Sequence, residues 1–338
     1  MMQLLVLKER VKTFYQKYDL YLTPVIKFVF TLFVFISINS EIGYDTRLTR
    51  WPVVLILSLL CAFTPSSIMV LLAVLVSTLH VFSISPILSI IVLFVFLILY
   101  LLFIKYTPEY GYVLLAIPIL YSFNLPYIIP ILMGLIATPV VIISTSSGVI
   151  IYYLFQIIKS AVTMQVNMTV EDILQLYTYV IDSLTKNKDM ISTIVIFVII
   201  TLVVYFVRKM SFAYAFETSI IAGALSGILG FLICNLALDS SIRIFSMILG
   251  MLISTAIVYV IHFFDLTLDY SAVEYTQFQD DEYYYYVKAV PKAIVTSPQK
   301  HVKHINPKKE LEDRREDYNR DDFIDDYYRD EFEDEEDY

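Results

Sequence analysis

Apolar residues fill the first 264 positions in long runs, cut by short polar stretches and by prolines. A helix of about 20 mostly apolar residues crosses roughly 30 Å of hydrocarbon, so these runs read as membrane helices. The pattern predicts spans at 23–38, 52–64, 66–83, 86–104, 111–123, 126–145, 147–160, 191–207, 211–237 and 242–264. Pro65 and Pro86 separate the early ones. The stretch 111–160 is cut by Pro118, Pro126, Pro130, Pro139 and Gly148, and is read as the three spans 111–123, 126–145 and 147–160. Before the first span, basic and apolar residues alternate at helical spacing, which predicts an amphipathic N-terminal segment over 1–22. A polar loop over 160–190 carries the helical stripe VEDILQLYTYVIDSL and reads as partly helical. The expected fold is an all-α polytopic membrane protein of about ten transmembrane helices, some short or broken, with 23–264 as the transmembrane domain.

Ten spans put both ends on one side. Lys8, Arg10, Lys12, Lys17, Lys105, Arg208 and Lys209 share that side in this topology, so the positive-inside rule makes both termini cytoplasmic and the location the cell membrane. If 111–123 is re-entrant, the count falls to nine and the ends separate. Two predicted spans are too short for an ordinary crossing. Val53–Phe63 and Val113–Phe123 each have 11 residues, and each is followed by a proline and two further apolar segments. This suggests an inverted three-helix repeat. Paired short or interrupted segments are a sequence pointer to a transporter site; chance likeness between apolar sequences is the plainer reading.

Composition changes the picture at one point. Of 338 residues, 58% are hydrophobic and 17% charged, and the mean hydropathy is +0.70, which excludes an ordinary soluble domain. The formal net charge of −9 is not spread evenly. Residues 1–264 carry 11 acidic and 14 basic side chains, whereas 310–338 carry 16 acidic and 4 basic. The segment 265–309 is a balanced, Tyr-rich juxtamembrane stretch. The segment 310–338 is an acidic tail, expected to be disordered. Tyr283, Tyr284, Tyr285 and Tyr286 form the most distinctive run in the chain, suited either to a β-strand or to docking a protein partner. The acidic balance argues against nucleic acid as a partner. The lipid bilayer is the partner the spans demand.

Within the spans, polar residues are the candidates for chemistry. Glu217 lies about seven residues into its predicted span, with Thr218 beside it, and a carboxylate there faces a cavity or a partner. An ion or proton site is the sharp reading, and a pair with Arg208 or Lys209 the plain one. Ser144 to Ser147 sit where a helix is expected to break before Gly148, either as ion-coordinating hydroxyls or as a simple loop. Asn124 marks the end of the second short unit and either lines a path or caps a helix. His80 and His262 read as interfacial residues near span ends. Small residues recur every fourth position in the last two spans: Ser219, Gly223 and Gly227 in one, Ser246, Gly250 and Ser254 in the other. They predict close packing of these two helices as an antiparallel hairpin.

No Gly-rich phosphate loop, HExxH or Cys-x-x-Cys is present, and the two Cys lie within spans. The chain therefore reads as a non-enzyme without cofactor or metal. The segments PYIIPILMGLIATPVV (126–141), GVIIYYL (148–154) and VEYTQFQDDEYYYYVKAVPK (273–292) resemble an uncharacterised family of polytopic membrane proteins from Gram-positive anaerobes, commonly labelled ABC transporter permeases. The resemblance runs from the N-terminus to about residue 292 and carries over no functional residue. It implies transport with a separate ATPase as cytoplasmic partner. Two functions follow: a transporter or permease-like component, or a non-transporting scaffold that recruits cytoplasmic proteins through its Tyr-rich, acidic tail.

Overall fold

The computed structural model describes residues 2–165, 173–210, 214–238, 244–265, 274–279 and 284–289. Among these, the chain runs through α1 (Met2–Ile42), α2 (Trp51–Ala62), α3 (Ser66–Phe82), α4 (Pro86–Tyr106), α5 (Gly111–Ser122), α6 (Ile128–Ile136), α7 (Ile142–Gln165), α8 (Ile173–Thr185), α9 (Lys188–Arg208), α10 (Ala215–Leu238) and α11 (Ile244–Asp265), then strands β1 (Glu274–Gln279) and β2 (Tyr284–Ala289). The helical bundle forms one compact unit over 8–268. Six of its helical segments are long and apolar enough to cross a membrane: Lys17–Ile42, Leu88–Tyr106, Pro139–Met164, Thr178–Arg208, Ala215–Ala237 and Ile244–Phe264. The apolar helices α2 and α3 are shorter.

The distribution of side chains is that of a protein in lipid. Along α10, Ile221, Leu225, Leu229 and Ile233 recur every four residues and are exposed, while Ile220, Gly223, Ala224, Gly227 and Phe231 are buried on the other face. A soluble protein does not leave such stripes open to water. Large apolar residues such as Phe35, Phe96, Phe103 and Phe197 also fill the interior, and buried serines, threonines and glycines join them at the helix contacts.

Prolines start several helices where the sequence placed them. Pro65 is the N-cap of α3 and Pro86 its counterpart's first residue in α4, where a missing N–H costs nothing. Tyr18 (φ −115°, ψ 17°) kinks α1, separating the amphipathic N-terminal part from the apolar part. Elsewhere the expectations need correcting. Gly148 does not break a helix; α7 runs unbroken through it, and Ser144–Ser147 lie in its first turns. A Cβ at Gly148 would stand 2.9 Å from the Leu114 carbonyl oxygen, so this glycine permits α7 to press on α5. The break falls earlier, at Thr138, which is extended (ψ 160°) ahead of Pro139 as residues before proline tend to be. The expected span 126–145 is thus the nine-residue α6 followed by a 3-10 turn at Pro139–Val141.

Two apolar clusters fill the bundle. One joins α1–α4 and Val180 of α8; the other joins α6, α9, α10 and α11. α5 and α7 form the wall between them. α5 gives Leu114 and Leu115 to the first cluster and Val113 and Ile117 to the second. The short helices α5 and α6 are mostly buried. Interrupted backbone at membrane depth is tolerated where protein surrounds it. By contrast α2, also of 12 residues, is peripheral and exposes Leu55, Ile56, Leu59 and Leu60. The two nonetheless end alike, on Phe63 (φ −103°, ψ 1°) and Phe123 (φ −95°, ψ 0°).

The two small-residue stripes do not simply face one another. A Cβ at Gly223 would meet Val204 of α9 at 2.3 Å, and one at Gly227 would meet both Met251 of α11 and Ile200 of α9. Gly250 lies against the Asn124 carbonyl oxygen and the Tyr127 ring. So α10 packs mainly on α9 and also on α11, while α11 packs on α10 and on the turn between α5 and α6. Ser219 and Ser254 are buried.

β1 and β2 pair antiparallel, from Glu274 opposite Ala289 to Gln279 opposite Tyr284. Tyr284–Tyr286 thus form the start of a strand, one of the two roles read for the tyrosine run. Tyr283, Asp239, Arg243 and the acidic tail 310–338 lie outside the described residues.

Candidate functional site

At the turn from α5 to α6 the chain reverses beside an opening in the bundle. α5 ends at Ser122, and Asn124 adopts a left-handed conformation (φ 59°) to redirect the chain, a geometry asparagine tolerates better than most residues. Around this turn lies a cavity of about 410 Å³ lined by Tyr121, Asn124, Pro126, Tyr127, Tyr152, Ser246 and Met247. Three parts of the fold supply it: the α5–α6 turn, the middle of α7 and the first turn of α11.

The tyrosines are held firmly. The Tyr121 and Tyr152 rings lie parallel, with centroids 3.8 Å apart and 7° between planes. Tyr153 meets Tyr121 edge-on, and its hydroxyl is 3.3 Å from Thr193 of α9. Tyr127 packs edge-on against Phe197 and Phe231. Gly250 allows the approach of α11, since its missing Cβ leaves room for the Asn124 carbonyl. Among the described residues, the Asn124 amide and the hydroxyls of Tyr127, Tyr152 and Ser246 have no hydrogen-bond partner. Most other helix hydroxyls behave differently: Ser58 and Thr145 turn back onto the carbonyls of Val54 and Val141.

The other candidate residues lie apart from this cavity. Glu217 sits 3.9 Å from His262, whose ring stacks on Phe216. It does not pair with Arg208, which donates to the Ala137 carbonyl at the end of α6, nor with Lys209, which lies over the Tyr205 ring. The helix begins at Ala215, so Glu217 falls in its first turn, where a carboxylate suits the helix dipole. Thr218 beside it is exposed. Along α11, Ser246 and His262 are separated by about 24 Å at 1.5 Å per residue. Glu217 and Asn124 therefore stand at opposite ends of the same helix. Ser144 donates to Thr107, which caps the end of α4, at 2.7 Å, and Ser144 and Ser147 are both buried. They serve helix packing, about 12 Å and 8 Å along α7 from Tyr152.

Two polar clusters lay beyond sequence reasoning. His80, read as interfacial, is fully buried. Its Nδ1 accepts from the Asp45 N–H at 3.2 Å, so Nε2 carries the proton and donates to Asn39 at 2.8 Å. This ties α3 to the end of α1 and to the loop after it. On the same end of α1, Glu41 pairs with Lys159 of α7 and accepts from Gln156 at 3.4 Å. The signal was present in part: Glu41 and Lys159 are opposite charges placed on the same side of the predicted topology. Among the described residues no group of His, Cys, Asp and Glu is placed to hold a metal ion.

No family model, no curated protein and no solved structure matches this chain.

Proposed function

We propose that this integral membrane protein is a transporter or permease-like component, and that its substrate enters at the tyrosine-lined cavity of the α5–α6 turn. The observation that carries the reading is a cavity at an interrupted, buried helix, with four hydrogen-bonding side chains opening into it. Sites of this kind form where broken helices leave a pocket among packed neighbours. In this reading the finer topology has ten crossings with both termini in the cytoplasm, and α2 and α5 open corresponding units of an inverted repeat. The permease resemblance adds a separate ATPase as partner. Glu217 and His262, at the far end of α11, are not part of the entry site.

The test is solute uptake by cells that lack the chain, against the same cells complemented. Loss of uptake of one class of solute is expected, restored by the wild-type chain and not by Asn124→Gly, which keeps the backbone conformation and removes the amide. Equal uptake of every solute in both strains overturns the reading.

The scaffold reading has its own observation, the β1–β2 hairpin. A two-stranded hairpin is marginal alone and offers open edges for a partner's strand. If that is its role, deleting 274–289 abolishes recruitment of a cytoplasmic partner while leaving uptake unchanged.

A further inference from the structure

The walls of the tyrosine-lined cavity also limit what it holds, and this step rests on the reading of that cavity as the substrate site. Among the described residues, its lining contains no carboxylate, ammonium, guanidinium or imidazole group. A charged ligand would find no countercharge among these groups. The lining does offer neutral hydrogen bonds of both kinds. The Asn124 amide donates and accepts, and the hydroxyls of Tyr127, Tyr152 and Ser246 do either.

The apolar part is flat and rigid. Tyr121 and Tyr152 stack with only 7° between their planes, which makes a platform rather than a cage. A cage of aromatic faces around one point would suit a quaternary ammonium; Tyr127 is instead turned edge-on into Phe197 and Phe231. A platform with hydroxyls and an amide at its rim fits a ring that has apolar C–H faces and hydroxyl edges. The volume of about 410 Å³ lies in the range of small-ligand sites. We infer that the cavity binds a neutral sugar, with one C–H face on the Tyr121–Tyr152 stack and its hydroxyls shared among Asn124, Tyr127 and Ser246.

The experiment is saturation-transfer NMR on the full-length protein in nanodiscs, with glucose, galactose and sucrose as neutral probes and choline and glutamate as charged ones. Saturable transfer is expected to the C–H protons of at least one sugar, insensitive to added NaCl. Binding weakens at least tenfold in Tyr152→Leu and in Asn124→Gly, and choline and glutamate give no signal. Choline or glutamate binding that the same two variants abolish keeps the cavity as a site and overturns the sugar assignment. Sugar binding unchanged in both variants overturns the inference, as does the absence of transfer to every sugar. Sugar binding to the cavity without any uptake defect in the deletion strain keeps the ligand class and overturns transport, so the two claims fail separately.

Discussion

On the α1–α4 side of the bundle, polar side chains reach from one element to another. His80 joins α3 to Asn39 and to the Asp45 N–H, Lys159 and Gln156 of α7 join Glu41 of α1, Ser66 reaches the Pro108 carbonyl, and Thr31 reaches that of Ser58. On the side of α6 and α9–α11, Arg208 and Thr201 of α9 reach the carbonyls of Ala137 and Pro130, but the closest approaches are made by what is missing. Gly134, Gly223, Gly227 and Gly250 each leave no room for a Cβ beside a neighbouring element. The difference teaches how each side fails. A polar tie is lost when one partner is deleted, and the orphaned partner then bears the cost. A glycine contact is lost when anything is added. The tyrosine-lined cavity lies on the glycine side of the wall, with Tyr152 reaching it from α7, so its shape depends on contacts sensitive to added volume.

The largest effect is expected from Gly250→Ala. The new methyl carbon would stand 2.5 Å from the Asn124 carbonyl oxygen, a backbone atom in a constrained turn. Relief requires moving α11 or the α5–α6 turn, at about 3 kcal/mol, the upper end of overpacking costs. Unfolding of the protein in mixed micelles reads the loss, and binding at the cavity should fall with it. An unchanged midpoint would break the comparison on its glycine side. His80→Leu comes next. It keeps most of the volume and removes both hydrogen bonds, leaving the Asp45 N–H and the Asn39 oxygen short of a partner, at about 2 kcal/mol. The same measurement checks it, and binding at the cavity should be unaffected. If His80→Leu disturbs binding as much as Gly250→Ala does, the wall of α5 and α7 does not separate the two sides.

Much of the fold was legible in the chain because apolar runs and prolines act locally. Pro65 and Pro86 sit at helix starts, since proline loses nothing there, and the charged residues Lys188, Asp189, Arg208 and Lys209 bound α9. What escaped depends on distance across the fold. Gly148 looks like a breaker in sequence, but its function is set by Leu114, 34 positions earlier, which presses on it. His80 looks interfacial because the Asp45 N–H and Asn39 that bury it are remote in sequence. Glu217 looked deep in a span because the apolar run begins before the helix does. Of the site, only Asn124 was picked as a path residue. Tyr121, Tyr127 and Tyr152 pass in sequence for ordinary interfacial aromatics, and only the α5–α6 turn and the packing of α7 bring them together.

The smallest effect should have the opposite sign, and it sharpens the comparison most. Ser254 is fully buried on α11, and among the described residues its hydroxyl has no hydrogen-bond partner. A glycine-packed interface draws its attraction from close contact, so an orphaned hydroxyl there is a cost. Ser254→Ala should stabilise by about 0.5 kcal/mol, in line with the modest worth of single hydroxyls between membrane helices. Thr31→Val, on the other side, should destabilise by a similar amount. The Thr31 hydroxyl donates to the Lys27 carbonyl at 2.8 Å and reaches that of Ser58 across the helix contact at 3.3 Å. The pair is read by the same unfolding measurement, run side by side so that the signs are compared directly. Opposite signs mean that a hydroxyl is a tie on one side of α5 and α7 and an obstacle on the other. If both substitutions destabilise, Ser254 has found a partner of its own, and hydroxyls on α11 add to the ties that Arg208 and Thr201 make from α9 to α6.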